Sequence, residues 1–556
     1  PPVGTLLDPL NGLYRTARIA LHPPSQTLRI EALQDPVAIV RDDRGVPHIF
    51  AQSDQDVIIA LGYVVAQDRL FQLDFIPRVA SGRLSEVFGP ASLNTDRFLR
   101  RTGMEWGARK YVAGLRQHDG VEREIVQWFA AGANAYIDAL EEEDLPFEFR
   151  LLGYEPDRYT EIQSARILQY FAYDLTYRGD AARYQTVKDR LSPEDYATLY
   201  PRNAPVVVPI IPEPGGGVPG RPTSAQPERL SEAKRHTAGG RWAEKQTPSG
   251  WIASAEGFIP GKGSNNWVVS GARSATGAPI LAGDMHLSLT LPAIWYEVHL
   301  VTPTMNTYGV TAPGTPLPVE AFNEYVAWAF TNTGGDVLDT YALELDETGT
   351  RYRFEGEYRD LEMVLDTIGV KGREPVVDTL YYAHWGPVVF EDGGAKAIRW
   401  VAHEPSGTLR ALWHMNHART YEEFQVGLAQ WDTPMQNIIY ADVEGNIAIR
   451  STGYMPIREA GHGVGVLDGS SRTFEWVGRV PFDDLPHSLN PVQGFLSSTN
   501  QQPANSTYPY YLGHDWRSVY RSLRIDSLLR SKPKHSVEDF KRYQADVHAV
   551  QRDLFV

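Results

Sequence analysis

Apolar residues recur at helical spacing through roughly the first 200 positions and at strand spacing from residue 263 onward. After a short opening strand pattern, Ser53-x-x-Asp56 reads as a capping box ahead of Val57, Leu61, Val64, Val65 and Leu70, one face of a helix. A second stripe, Ile125, Trp128, Phe129, Tyr136 and Leu140, predicts a helix over Glu124 to Leu140. Both stripes read as core. The periodicity then breaks. Pro205 to Pro227 holds Pro209, Pro212, Pro214, Gly215 to Gly217, Pro219 and Pro222, and polar sequence continues to Lys262, the composition of a linker and not of a packed element. Beyond Gly263 come short runs separated by turns: Trp267-Val268-Val269, Ile294 to Val301 and Tyr325 to Phe330. Asp442 to Asn446 between Ile438-Ile439-Tyr440 and Ile447-Ala448-Ile449 predicts a hairpin. At the end, Ser536-x-x-Asp539 caps a run of Phe540, Tyr543, Val547, Val550 and Leu554 that predicts one closing helix. The chain thus divides into a helix-rich part (1–204), a linker (205–263) and a β-rich part (264–556).

Composition narrows the function classes. The chain has 556 residues, enough for three or four domains or for one large layered domain with insertions. Hydrophobic residues at 42% and charged residues at 22% are ordinary for a folded protein, which excludes global disorder. No run of about 18 apolar residues is present, so no spanning helix is expected. A net charge of -16 without any Lys/Arg run excludes a nucleic-acid partner. The absence of cysteine removes disulfides, zinc-thiolate sites and a cysteine nucleophile together, leaving Ser, Thr, Lys, Asp or Glu for covalent chemistry. Pro1-Pro2 carries no initiator Met and reads as a trimmed end.

The sharpest local feature is Gly261-Lys262-Gly263-Ser264-Asn265-Asn266-Trp267, where linker gives way to strand. Taken alone, Gly-Ser-Asn-Asn is a polar turn feeding a strand. Cleavage before Ser264 would instead place a hydroxyl and a free α-amine on one residue, and an α-amine with a pKa of about 7.7 to 8 is a general base near neutrality. Gly263 suits self-cleavage, since a residue without Cβ tolerates the backbone strain of attack on its own carbonyl. His286, in Gly283-Asp284-Met285-His286, could orient a nucleophile or be an ordinary turn residue. Asp336-Val337-Leu338-Asp339, after Gly334-Gly335, offers two carboxylates to a hard cation or forms a solvated turn. His414 and His417 lack a third ligand and read as non-metal residues. Gly461-x-Gly463-x-Gly465 has no helix pattern after it and is not a dinucleotide loop.

Longer motifs carry a resemblance. Arg41-Asp42-x-x-Gly45-Val46-Pro47-His48-Ile49, Gly62-Tyr63-Val64-x-Ala66-Gln67-Asp68-Arg69-Leu70, Ser81-Gly82-Arg83-Leu84-Ser85-Glu86 and Gly263-Ser264-Asn265-Asn266-Trp267 stand in order along the chain. Together they resemble the penicillin acylase family of N-terminal-nucleophile hydrolases, which also contains acyl-homoserine-lactone and cephalosporin acylases. The resemblance implies an α+β fold, an αββα sandwich, and a linker removed by autocatalysis to leave a heterodimer of α and β chains. It implies an amidohydrolase acting on a small acyl amide in the periplasm or outside the cell. Ser264 would be the nucleophile and His286 would contact it. The backbone N–H of Asn332, in Trp328-Ala329-Phe330-Thr331-Asn332, and the side chain of Asn500, in Ser498 to Pro503, would be the oxyanion donors. Arg521 would hold Asn500 and the nucleophile region. A structural calcium ion would fall on Asp336, the Leu338 carbonyl and Asp339, with Asp180 and the Val464 carbonyl as further ligands.

Tyr170, Phe171, Leu175 and Leu287 would wall the acyl pocket, and Glu320 would favour a polar or charged acyl group. The chains of such relatives extend beyond the equivalent of Val556, so a truncated product is expected. Two other readings remain: a carboxylate-pair glycoside hydrolase, suggested by 69 acidic residues and 13 Trp, and a non-catalytic relative that keeps the fold for binding.

Overall fold

Ser53 does begin a helix, and the helix runs to Ala80. In the computed structural model, which describes residues 25–117, 120–178, 181–199, 208–213, 263–391, 394–461, 463–514 and 516–555 together with Asp8 and Gly12, the Ser53 hydroxyl accepts the Asp56 N–H at 3.1 Å and caps Asp54–Ala80. The Asp56 carboxylate does not close the box. It accepts the N–H groups of Gln34 and Asp35 and ties the preceding loop to the helix. The second stripe forms Val121–Ile137, a few residues earlier than its apolar positions predict. These two helices touch backbone to backbone: a Cβ on Gly132 would lie 1.7 Å from the Ile59 carbonyl oxygen, and one on Gly62 2.1 Å from that of Phe129.

With Glu161–Thr176, the helices cover one face of a nine-stranded sheet. Its order is Ala38–Arg41, Pro47–Phe50, Tyr296–Val301, Asn306–Thr311, Glu320–Phe322, Val326–Asn332, Gln436–Asp442, Ile447–Thr452 and His487–Leu489. The expected hairpin is its seventh and eighth strands, with Ile439 opposite Ile449. Pro47–Phe50 pairs in parallel with Tyr296–Val301, so the helix-rich and β-rich parts share one sheet.

A second, three-stranded sheet packs on the first, with Gly263–Val269 in the middle between Phe495–Ser498 and Ile280–His286. Val268, Leu281 and Leu496 pack between the sheets against Ala329, Ile439 and Ile449. On the far side, Trp267, Val269 and Phe495 meet Ile525 and Leu529 of Tyr520–Arg530 and Phe540 of Val537–Gln544. The layers are therefore helix, sheet, sheet, helix: an α+β, αββα sandwich. A separate six-stranded sheet that includes Leu338–Leu343 and Gly394–Trp400 carries its own core around Tyr341 and Trp385.

Two expectations change. The closing run is two helices, Val537–Gln544 and Val550–Phe555: Val547 is fully exposed, and the turn between them is held by Asp546, which bonds Arg524 and the His548 N–H. The linker is not unpacked throughout, because within 208–213 the apolar pair Ile210-Ile211 is buried between the sheets and donates to the carbonyls of Gln502 and Pro503. The rest of 205–262 lies outside the described residues. No helix among the described residues is long and apolar enough to cross a membrane.

Candidate active site

Strand alternation sorts the run Gly263 to Trp267. Ser264 stands opposite Met285, and Asn266 opposite Gly283 and Ser498. Residues 264 and 266 turn to one face and Asn265 to the other. Asn266 is fully buried and donates to the Ala329 and Asn437 carbonyls, each at 3.2 Å, pinning this strand to the large sheet. Around it the Asn437 amide donates to the Thr331 and Ser498 hydroxyls, which bond each other at 2.6 Å, and accepts from Ser451 at 2.6 Å. Nothing in the sequence pattern singled out this polar knot.

Ser264 is buried at the edge of a cavity, and its backbone N–H donates to Asn500 Oδ1 at 2.7 Å. Asn500 Nδ2 donates to the Asn332 carbonyl at 2.8 Å. Asn500 holds a left-handed φ of 66°, one of three non-glycine residues to do so among the described residues, a conformation that asparagine tolerates better than most. Arg521 completes the group: one guanidinium nitrogen donates to the Ser264 carbonyl and Asn265 Oδ1, both at 2.7 Å, and the other to Asn500 Oδ1 at 3.0 Å. Burial pushes Arg521 down to about 10, with Arg517 adding to the effect, so it stays charged at neutral pH. Gly263 sits tight against this group, since a Cβ there would lie 3.1 Å from Arg521 and 3.4 Å from Asn500 Oδ1. Ser264, Asn332, Asn500 and Arg521 are thus brought together.

The His286 imidazole is not part of this group. Its Nε2 lies 2.6 Å from Asp284 Oδ2, which also accepts from Asn265 at 3.3 Å. The reason is parity: the residue across from Ser264 is Met285, while His286 lies across from Gly263. Asp284 is held below the usual carboxylate range because His286 and Asn265 more than offset its burial.

The cavity is lined by Ser264 and Asn332 together with Leu168, Phe171, Leu175, Met285, Leu287, Trp295 and Phe330, the largely apolar lining of a small-molecule site. Leu168, Phe171 and Leu175 lie at i, i+3, i+7 on one helix face. Tyr170, expected beside them, is turned off that face and packs edge-on to Phe171. Glu320 also lines the cavity; its Oε1 accepts the Phe330 N–H at 2.8 Å, and burial pushes the carboxyl up to about 8.

The expected calcium ligands meet a different cation. Arg458, buried with Asp339, donates to Asp339 Oδ2 at 2.8 Å, to Asp339 Oδ1 at 3.1 Å and to the Asp336 carbonyl at 3.0 Å, and it pairs with Asp336 Oδ1 at 3.3 Å. Trp476 donates to Asp339 and Tyr511 to Asp336. A Cβ on Gly463 would lie 2.3 Å from Asp336 Oδ1, so the backbone before Val464 lies directly against that carboxylate, while Leu338 begins a strand opposite Trp400. All four carboxylate oxygens of Asp336 and Asp339 are engaged by Arg458, Trp476 or Tyr511, so among the described residues the pair neutralises a guanidinium, which calcium, with its six to eight oxygen ligands, would have to displace. Asp180 lies outside the described residues.

Comparison with known proteins identifies the family. The family model for penicillin amidase matches residues 36–556, and the chain belongs to that family. It is 29% identical over 95% of its length to penicillin acylase 2 proenzyme of Pseudomonas sp. (strain SE83), covering 66% of that protein. It is 27% identical over 97% of its length to acyl-homoserine lactone acylase QuiP of Pseudomonas aeruginosa, covering 63% of it. It therefore spans somewhat less than two thirds of these relatives. Among solved structures, penicillin G acylase from Alcaligenes faecalis is 26% identical, with a TM-score of 0.47 over 50% of this chain and 51% of that one.

Two predictions follow from the buried charges. Asp339→Asn should leave the Arg458 guanidinium without its main counter-charge and cost about 3 to 5 kcal/mol, measured by denaturant unfolding; a loss below about 1 kcal/mol would mean that Asp336 alone suffices. Glu320, raised from 4.5 to about 8, favours the folded state while protonated. That contribution is fully present below about pH 4.5 and is lost as pH rises through 8. Glu320→Gln cannot ionise, so its stability relative to the parent should climb between these limits by at most about 1.4 kcal/mol per pH unit; a constant difference from pH 4 to 9 would contradict the assignment.

Proposed function

We propose that this protein is an amidohydrolase that releases an acyl chain from an amine, with Ser264 as a nucleophile exposed by autocatalytic cleavage after Gly263. The observation that carries this reading is the 2.7 Å contact between the Ser264 backbone nitrogen and Asn500 Oδ1, beside an apolar cavity and under the Arg521 guanidinium. After cleavage that nitrogen becomes an α-amine. It takes the hydroxyl proton as Oγ attacks the scissile carbonyl, then returns it to the leaving amine, and water hydrolyses the acyl-enzyme with the same amine as base. The Asn332 N–H and Asn500 Nδ2 serve as oxyanion donors. Arg521, charged and unpaired with any carboxylate at the nucleophile, favours the neutral amine and the developing oxyanion.

The names of the relatives support an acylase, and the word proenzyme supports a precursor that is processed; the two resulting chains would stay associated as a heterodimer. A location in the periplasm or outside the cell belongs to the same proposal. Among the described residues lining the cavity, Glu320 is the one acid, whereas glycoside hydrolysis needs a pair.

The test is direct. Ser264→Ala should remain a single chain and release no acyl group, and N-terminal sequencing of active protein should find a chain beginning at Ser264; active protein without that terminus would overturn the mechanism. Asn500→Ala, in protein that has been processed, should lower kcat by about 100- to 1000-fold with a smaller change in KM, and near-normal turnover would remove Asn500 from the oxyanion site.

A further inference from the structure

The walls of the cavity beside Ser264 are hydrocarbon and aromatic, yet Glu320 is among them. Its side chain is 7% exposed. Oε1 accepts from the Phe330 N–H, and Oε2 has no hydrogen-bond partner among the described residues. Oε2 fits because Gly283 has no side chain: a Cβ there would lie 2.9 Å from it. A polar group in such surroundings is costly unless something satisfies it.

Two strands give its position. Phe330, which holds Oε1, precedes Asn332 by two residues on Val326–Asn332. Gly283, which makes room for Oε2, precedes Met285 by two on Ile280–His286, and Met285 stands opposite Ser264. Two residues of strand span roughly 7 Å, so Phe330 and Gly283, which the carboxyl touches, each stand about that far along their strands from Asn332 and from Met285, and the carboxyl shares the cavity wall with Ser264.

We propose that Glu320 selects acyl groups that carry an uncharged hydrogen-bonding group, a hydroxyl, on the part of the chain remote from the scissile carbonyl. Burial raises the carboxyl to about 8, so at neutral pH it presents an O–H donor and a lone-pair acceptor, the two roles a hydroxyl complements. A purely hydrocarbon chain leaves both unsatisfied, and sites built to bond a hydroxyl discriminate against the analogue that lacks it. The inference deepens the acylase reading by naming the acyl class, but it can be tested by binding without turnover.

The probes are 6-hydroxyhexanoate, its isostere heptanoate, and 6-aminohexanoate, titrated by calorimetry into the full chain at pH 6.5, with the matching anilides assayed for hydrolysis. The hydroxy acid should bind at least about 10-fold tighter than heptanoate. Glu320→Leu should reverse the order, and Glu320→Gln, still donor and acceptor, should keep it. Raising the pH to 9 should sharpen the preference in the parent, because the ionised carboxylate still accepts from the hydroxyl while heptanoate leaves a buried charge unsatisfied, but not in Glu320→Gln; Asp284, paired with His286, is the remaining charge acting on Glu320, and it is the same in both proteins. Equal or tighter binding of heptanoate, an unchanged order in folded Glu320→Leu, or tightest binding of 6-aminohexanoate would each overturn the proposal. If Glu320→Leu does not fold, the pH comparison decides. Selective binding without hydrolysis of any anilide would sink the acylase reading and leave this one standing; hydrolysis without selectivity would do the reverse.

Discussion

The register of Gly263–Val269 is the constraint on which the rest of the site depends. Slipped by one residue, the strand would turn Asn265 to the cavity and Ser264 to the outer helices. Apolar packing alone would not forbid this strongly, because Trp267, Val268 and Val269 are all large and buried, on both faces. What forbids it is polar. Asn266 reaches the Ala329 and Asn437 carbonyls only in the observed register, and the Asn437 amide, Thr331, Ser498 and Ser451 are already committed to one another. Such a network is stabilising when its members are paired and costly when they are not, so it converts a one-residue slip into several unpaired buried groups. The αββα stacking places Ser264; the knot between the sheets decides which way it points.

Local signals were legible in the sequence and distant partners were not. The Ser53 cap, the 442–446 hairpin and the Gly-Ser junction each depend on residues a few positions apart, and each is where its pattern placed it. The partners of the knot lie 106 and 167 residues apart, and a Thr or Ser in a strand carries no mark of them. The same distance hid the cation of the Asp336–Asp339 turn, since Arg458 comes 119 residues after Asp339. His286 illustrates a different limit. Its residue type suits a nucleophile's partner, but whether 285 or 286 faces 264 is set by strand parity, which no local pattern encodes. The closing helix failed because apolar spacing was read through Asp546, whose carboxylate caps a turn and pairs with Arg524.

Charge around Ser264 is divided rather than balanced. Asp284 is the nearest acid on the neighbouring strand, and His286 and Asn265 engage it. Arg521, facing the same strand, spends its donors on neutral acceptors: the Ser264 carbonyl, Asn265 Oδ1 and Asn500 Oδ1. Its lowered pKa reflects burial first and then the neighbouring Arg517, with Asp284 acting the other way. A guanidinium neutralised by direct pairing would position these groups equally well but would present no net field. Without direct pairing, it disfavours a proton on the nearby nitrogen and favours negative charge on an oxygen beside Asn332 and Asn500. The energetic cost of burying that cation is borne by the fold, through packing of Trp267, Phe495, Ile525 and Leu529 around the helix that carries it. A site meant only to bind an apolar ligand would have no use for such a charge, whereas the proposed acyl transfer needs it twice, once to keep the base free and once to hold the oxyanion.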